Sequence, residues 1–137
     1  AMCAKMLDPE FNKGIEVVVL PNLYGDIVTD IAAEHQGGLG TASSSNIGNK
    51  YAMFEAIHGT APYLMSHGRG EYADPSSLIR AAGMMLAHIG YADKKVLLKK
   101  ALDVCTTEQK VVLTTFTEDA SAKEYTDYII ETIEKLK

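Results

Sequence analysis

The sequence has no long basic run and no interleaving of basic residues with aromatics, and the 13 Lys and Arg are outnumbered by 18 Asp and Glu, for a formal net charge of −5. That balance argues against nucleic acid as a partner, because phosphate backbones are met by positive surfaces. It leaves room for an anionic substrate held by a local site or a metal. Cysteine is scarce as well. Cys3 and Cys105 match no metal-ligand spacing and no disulfide framework, so both are expected as reduced thiols in a cytoplasmic setting. No apolar run approaches the ~18–20 residues of a membrane span, and residues 1–5 lack the apolar stretch of a secretory signal. No repeat or low-complexity tract is visible. What remains is 137 residues, 47% hydrophobic and 23% charged, the profile of a globular chain with one core.

Hydrophobic spacing divides the chain into strand-like and helical stretches. Residues 1–7 are expected to end a helix, followed by the turn Asp8-Pro9-Glu10. Residues 16–20 (Glu-Val-Val-Val-Leu) are a β-branched run, expected as a strand buried on both faces. Gly25 then marks a tight turn, and Asp26 is placed to cap a helix carrying Ile27, Val28, Ile31 and Ala32. Gly37, Gly38 and Gly40 stop that helix, and the chain stays small and polar to Ser45. Residues 51–57 are expected as a second strand and residues 58–62 as a loop, since Gly59 and Pro62 break both regular elements. Asp74 and Pro75 read as an N-cap and first helical residue, ahead of a stripe of Leu78, Ile79, Ala82, Met85, Leu86 and Ile89. Residues 94–105 form another helix, with Val96, Leu97, Ala101, Leu102 and Cys105 apolar, and residues 111–113 a short strand. The last helix sets Tyr125, Tyr128, Ile129, Thr132, Ile133 and Leu136 on one side. Strands alternating with helices imply an α/β layered fold. So few strands for so many helical faces imply that the chain is part of something larger.

Asp26 and Asp30 carry the first chemical signal. Residues four apart on a helix share a face, with Cβ atoms ~5–6 Å apart. Two hard oxygen donors so placed suit Mg²⁺ or Mn²⁺, which take their remaining ligands from water and substrate. By itself the spacing also fits a capping Asp26 and a solvated Asp30. The glycine stretch around Gly38-Leu39-Gly40 is not a Rossmann fingerprint. That motif needs a strand before it and a helix after, and here the order is reversed. In the His58 loop, small residues let backbone N–H groups approach a nucleotide, and the imidazole can stack on or bond to adenine. On the residues alone, a satisfied loop histidine is the commoner reading, and His35, His67 and His88 are given no role.

These segments occur in one order that resembles the isocitrate and isopropylmalate (β-decarboxylating) dehydrogenase family. Asn22-Leu23-Tyr24-Gly25-Asp26-Ile27-Val28-Thr29-Asp30 is similar to its N-L-Y-G-D-[IYL]-x-[ST]-D signature. Residues 37–48 are similar to its G-G-[IL]-G-x-x-P-[SG]-x-N-I-G passage between domains, with Ser43 where proline is usual. Phe54-Glu55-Ala56-Ile57-His58-Gly59-Thr60-Ala61-Pro62 is similar to its F-E-[AP]-x-H-G-[TS]-A-P cofactor loop. Gly37-Gly38-Leu39-Gly40, Asn46-Ile47-Gly48 and Glu55-Ala56 point to the isocitrate branch, although homoisocitrate and tartrate relatives share part of the pattern.

The resemblance implies a carboxyl-terminal portion of a two-domain subunit with α/β/α layers of the isocitrate/isopropylmalate dehydrogenase type. Residues 1–36 would end the substrate-side small domain, and 37–137 would form the second half of the cofactor-binding large domain. It makes Asp26 and Asp30 metal ligands for Mg²⁺ or Mn²⁺. It makes His58, Gly59, Thr60, Ala61 and Pro62 the adenosine site, with Glu55 toward the nicotinamide. After Pro62, NAD-using members often have Asp-Ile and some NADP-using members Lys-Tyr. Here Tyr63-Leu64 follows, so Tyr63 is expected near the ribose, and NAD is expected over NADP. Arg69 is the counter-indication, since a guanidinium there could pair with a phosphate. Asp74 stands where asparagine usually contacts adenine.

The implied reaction is oxidative decarboxylation of isocitrate to 2-oxoglutarate, a step of the tricarboxylic acid cycle, in a homo-oligomer of two or more subunits. The family's substrate-binding and proton-transferring residues lie upstream of the matched motifs, so no catalytic residue is expected in this chain and it is expected to be inactive alone. The rival expectation is a regulatory subunit or an isolated nucleotide-binding module of the same family.

Overall fold

The computed structural model describes residues 5, 6, 8–108 and 120–137. The strand expected at 111–113 and most of the helix end expected over 1–7 lie outside them. The chain divides into two compact units, Ala1–Leu39 and Gly40–Lys137. The expected boundary between residues 36 and 37 falls in the last residues of the first unit.

In the first unit, α1 (Pro9–Asn12) starts with proline after Asp8, whose carboxylate accepts the Glu10 N–H at 3.0 Å. The buried strand expected over 16–20 does not form. The segment is extended but outside any ladder, with Val17 80% and Val19 89% exposed. A strand exists only through a paired neighbour, and among the described residues the one sheet is made elsewhere. Next comes α2 (Asn22–Gln36), which begins earlier than expected. Pro21 holds φ at −59° ahead of it, and the Gly25 N–H already reaches the Pro21 carbonyl at 2.8 Å. Gly25 is therefore helical rather than a turn, and Asp26 lies past the first turn and is no N-cap. Gly37 (φ 130°) and Gly38 (φ 101°) end α2 in backbone conformations that side chains resist. The Gly38 N–H returns to the Ala33 carbonyl at 2.9 Å, satisfying an orphan acceptor of the last turn.

The second unit opens with an antiparallel pair, β1 (Ser43–Ile47) and β2 (Ala52–Ala56), in the register Ser45↔Phe54. Strand β2 is the one expected over 51–57. Strand β1 was expected as loop, because three serines make a poor strand former. Pairing with β2 decides its state, supported by the Ser43 hydroxyl 3.2 Å from Met84 Sδ. There follow a short α3 (Pro62–Ser66), a 3₁₀ turn (Gly70–Tyr72), α4 (Ser76–His88), α5 (Ala92–Asp103), a π turn (Val104–Glu108) and α6 (Ala122–Leu136).

Helix α4 starts one residue past Pro75, and its expected buried stripe is wrong in part. Leu78, Met85 and Ile89 are exposed, while Ser76, Ser77, Ala81 and Gly83 are buried. Small side chains let α4 lie close to the hairpin and to α5, and a Cβ on Gly83 would stand 3.6 Å from Leu98 Cδ2. Periodicity places an apolar face on a helix without saying which face is covered. On α5, Ala101 and Leu102 are buried as expected and Val96 is exposed. Together with Cys105, Tyr125 and Ile129 they make the core, ringed by Ile79, Leu98, Tyr128, Ile133 and Leu136. Burial pushes the Cys105 thiol above its ordinary range, and it lies 3.9 Å from Thr132 Oγ1.

Helix α6 presents its expected face, with Tyr125, Ile129 and Thr132 buried. Its start is a capping box. The Ser121 hydroxyl accepts the Glu124 N–H at 3.2 Å, and the Glu124 carboxylate accepts the Ser121 N–H at 2.8 Å. Ser121→Ala is expected to cost about 1 kcal/mol, read from the urea midpoint. The Ser121 backbone N–H, with its hydroxyl, holds the Glu124 carboxyl below its ordinary value of 4.5. A lowered folded-state value means stabilisation present above the unfolded value and lost as pH falls through the folded one. Alanine keeps the backbone N–H, so only the part of the penalty that comes from the Ser121 hydroxyl on the Glu124 carboxylate depends on pH; the penalty should be larger at pH 7 than in acid, and the reverse order would contradict that bond.

Candidate functional site

Two clusters carry the expected chemistry, one in each unit. In the first unit α2 runs unbroken through both Asp26 and Asp30, so the carboxylates sit one turn apart on one face. Both residues are exposed, and neither carboxylate has an ion-pair or hydrogen-bond partner among the described residues. Between them, the Thr29 hydroxyl turns back to donate to the Gly25 carbonyl at 2.8 Å and so does not occupy either carboxylate. Like charges at this spacing weaken a helix by about 0.2–0.5 kcal/mol. A bound divalent cation would reverse that sign. Free, solvent-facing carboxylate oxygens fit a hard cation that completes its shell from water and substrate. No group of three acidic, histidine or cysteine side chains converges among the described residues. The pair alone thus offers an open, incomplete coordination set.

The second cluster follows β2. Glu55 leaves that strand exposed, and the Asn46 side-chain amide donates to its Oε1 at 2.9 Å. His58, Gly59, Thr60, Ala61 and Pro62 form an exposed turn. His58 Nδ1 lies 3.0 Å from the Gly59 carbonyl, which can only accept. That contact calls for a proton on Nδ1, and in that tautomer Nε2 is the acceptor. Ala61 adopts the left-handed conformation (φ 47°, ψ 60°) just before Pro62 opens α3. A non-glycine residue there stores strain, which folded proteins concentrate at binding loops. At Gly59 no atom lies within 4 Å of where a Cβ would stand, so a ligand can approach the backbone directly.

The structure places Tyr63 at the outer end of this turn, 73% exposed. Its ring lies 4.2 Å from the His67 imidazole, at 33° between planes. The Tyr63 carbonyl accepts from His67 Nδ1 at 2.8 Å and from the Ser66 hydroxyl at 2.9 Å. Sequence reasoning gave His67 no role. Its position four residues after Tyr63, beside a proline-initiated helix, was the available signal. Arg69 stacks over the Tyr72 ring, 5.5 Å from its centroid. Asp74 is half-buried, and its Oδ1 accepts the Ser76 N–H at 2.8 Å, so it caps α4 across Pro75. A Cβ on Gly40 would come within 3.4 Å of Asp74 Cβ, a close approach that glycine permits.

Comparisons with known proteins point one way. A family model described as isocitrate/isopropylmalate dehydrogenase matches residues 1–133. An isocitrate dehydrogenase (NADP) of Rickettsia prowazekii is 41% identical, over 88% of this chain and 25% of that protein. A regulatory subunit of the mitochondrial isocitrate dehydrogenase (NAD) of Dictyostelium discoideum is 42% identical, over 93% of this chain and 35% of that protein. The crystal structure of isocitrate dehydrogenase from Methylococcus capsulatus superposes with a TM-score of 0.85 at 32% identity, covering 96% of this chain and 38% of that one. The chain thus spans roughly a quarter to a third of the length of the relatives it matches. The fold over the matched region is that of these enzymes, mixed helix and sheet. No described helix is long and apolar enough to cross a membrane.

Proposed function

Because the chain belongs to the isocitrate/isopropylmalate dehydrogenase family, we propose that it is the carboxyl-terminal part of a metal-dependent isocitrate dehydrogenase. In this reading the longer enzyme oxidises and decarboxylates isocitrate to 2-oxoglutarate and works as a homo-oligomer. The observation that carries it is the presence, in a single family-ordered chain, of two free carboxylates on α2 and an open loop over 58–61 between Glu55 of β2 and Pro62 of α3. Asp26 and Asp30 would hold Mg²⁺ or Mn²⁺. When bound, such an ion supplies electrophilic stabilisation of charge developing on the substrate oxygen, and the nicotinamide accepts a hydride. The chain's own work is binding and orientation. The exposed N–H groups and His58 Nε2 would meet the adenosine half, Asp74 would lie beside the adenine, and Glu55, fixed by Asn46, would lie toward the nicotinamide. Tyr63, braced on His67, would pack near the ribose.

NAD is the proposed cofactor form. Position 63 carries no cation, and Arg69 is laid over Tyr72. NADP is the second reading, favoured by the 41% identical Rickettsia relative, which is named for NADP. The ratio of kcat/KM for the two cofactors in the full-length enzyme decides between them. A regulatory role is the rival to the whole proposal, on the strength of the Dictyostelium relative. The retained carboxylates and the intact His58 loop favour the catalytic role. Purified full-length protein is expected to turn over isocitrate with Mn²⁺ and no second subunit, and to prefer it to isopropylmalate, homoisocitrate and tartrate. Turnover only after a different polypeptide is added would overturn the catalytic reading.

Gly59→Ala separates binding from folding. The added methyl meets nothing in the protein, so thermal stability should hold, while the cofactor KM should rise about tenfold through lost backbone approach. An unchanged cofactor KM would remove Gly59 from the nucleotide surface.

A further inference from the structure

The first turn of α4 ties the cofactor loop to the far end of the chain. Tyr125, on α6, is 1% exposed, with its ring in the core beside Leu102, Cys105 and Ile129. Its hydroxyl leaves that core and meets the buried Ser76 hydroxyl at 3.2 Å. Ser76 is also the residue whose N–H binds Asp74 Oδ1 at 2.8 Å. Its neighbour Ser77, fully buried, donates its hydroxyl to the Ala42 carbonyl. The segment around Asp74 is therefore clamped from two sides, by α6 through Tyr125 and by residues 40–42 through Ser77 and the close approach of Gly40. The titratable groups that act electrostatically on the Tyr125 hydroxyl are Asp74, Cys105 and Arg80. Burial pushes that hydroxyl above its ordinary range, so it keeps its proton at neutral pH, and either hydroxyl of the pair can donate to the other.

We propose that Tyr125 is a positioning residue for cofactor binding: its buried hydroxyl, through Ser76, sets where Asp74 and the loop before it present themselves to the adenine end of a nicotinamide dinucleotide. The inference rests on the proposed reading of that loop as the nucleotide site. A phenylalanine at 125 would fill the same core space, so the helix could pack without this contact. What the hydroxyl adds is a direction for Ser76. With it removed, the Ser76 hydroxyl is left buried with one partner fewer, and the first turn of α4 is free to shift by the slack of that bond. Asp74 moves with it, because its carboxylate is bound to the same residue.

The test uses the full-length enzyme and two readouts, equilibrium binding of the reduced cofactor by its own fluorescence and steady-state kinetics. Y125F and S76A are each expected to weaken cofactor binding about fivefold, the scale of one buried hydrogen bond. The double variant should be no weaker than either single, since both changes cut the same link. kcat and the isocitrate KM should stay within about twofold, because the link acts only on binding of the cofactor. Ile129→Val, a core change on the same helix, should lower the melting temperature yet leave cofactor binding intact. Binding unchanged in Y125F and S76A, or weakened equally by Ile129→Val, overturns the positioning role alone. A parent enzyme that binds no dinucleotide overturns both this role and the reading of the loop.

Discussion

Asp30→Asn in the full-length enzyme is expected to raise the Mn²⁺ concentration for half-maximal activity by on the order of 100-fold. Changes to groups that merely support a metal ligand already cost 10- to 100-fold in affinity, and Asp30 is proposed as a direct ligand. Asparagine keeps the shape and one oxygen but removes the charge that a hard cation needs. The side chain is exposed and unpaired among the described residues, so the fold has little reason to respond. Without metal, the variant should even be slightly more stable, since a like-charge pair four residues apart on α2 is relieved. The opposite signs of the two effects separate loss of a ligand from loss of structure. Added Mn²⁺ should raise the melting temperature of the parent and not that of the variant. Thr29→Val, between the two carboxylates, should leave the metal dependence alone because its hydroxyl is spent on the Gly25 carbonyl. Equal Mn²⁺ dependence in parent and Asp30→Asn would remove Asp30 from the site.

Leu102→Ala is expected to be the most damaging single change to the fold. Leu102 is 1% exposed and joins α5 to Tyr125 and Ile129 on α6. Truncating a leucine in such a place costs about 2–5 kcal/mol in lost transfer and cavity terms. That is a large share of the roughly 5–15 kcal/mol by which a domain is stable. Val96→Ala, six residues earlier on the same helix but exposed, should fall within about 0.5 kcal/mol. Urea midpoints of the two variants would show the contrast. A Leu102→Ala loss below about 1 kcal/mol would mean that α5 and α6 do not share this core.

Much of this was legible along the chain. The apolar stripe of helix α6 was read from its spacing, while the Ser121–Glu124 capping box that starts it was found in the structure. Helices α4 and α5 could be read as helices, but only part of their buried faces. On α4 the covered positions are Ser76, Ser77, Ala81 and Gly83, and residues that small leave no hydrophobic signature. Strand β1 escaped notice for the same reason, its serines being placed by pairing rather than by propensity. Residues 16–20 failed the other way, since a β-branched run signals a strand without supplying its partner.

The candidate site divides along the same line. The spacing of Asp26 and Asp30, the Glu55–Pro62 loop and the family order of these motifs are properties of the linear chain, and the sequence by itself determined them. It also determined the end of α2 at Gly37 and Gly38, where glycine conformation acts within a turn, but not its start. Only the structure decided that Asp26 lies inside α2 rather than capping it. It alone showed that the Asp74 cap is tied through Ser76 to the hydroxyl of Tyr125, 49 residues beyond Ser76. No local preference encodes such a contact, because closing a long loop onto a buried hydroxyl is decided by how the core packs, and packing is a property of all its residues at once.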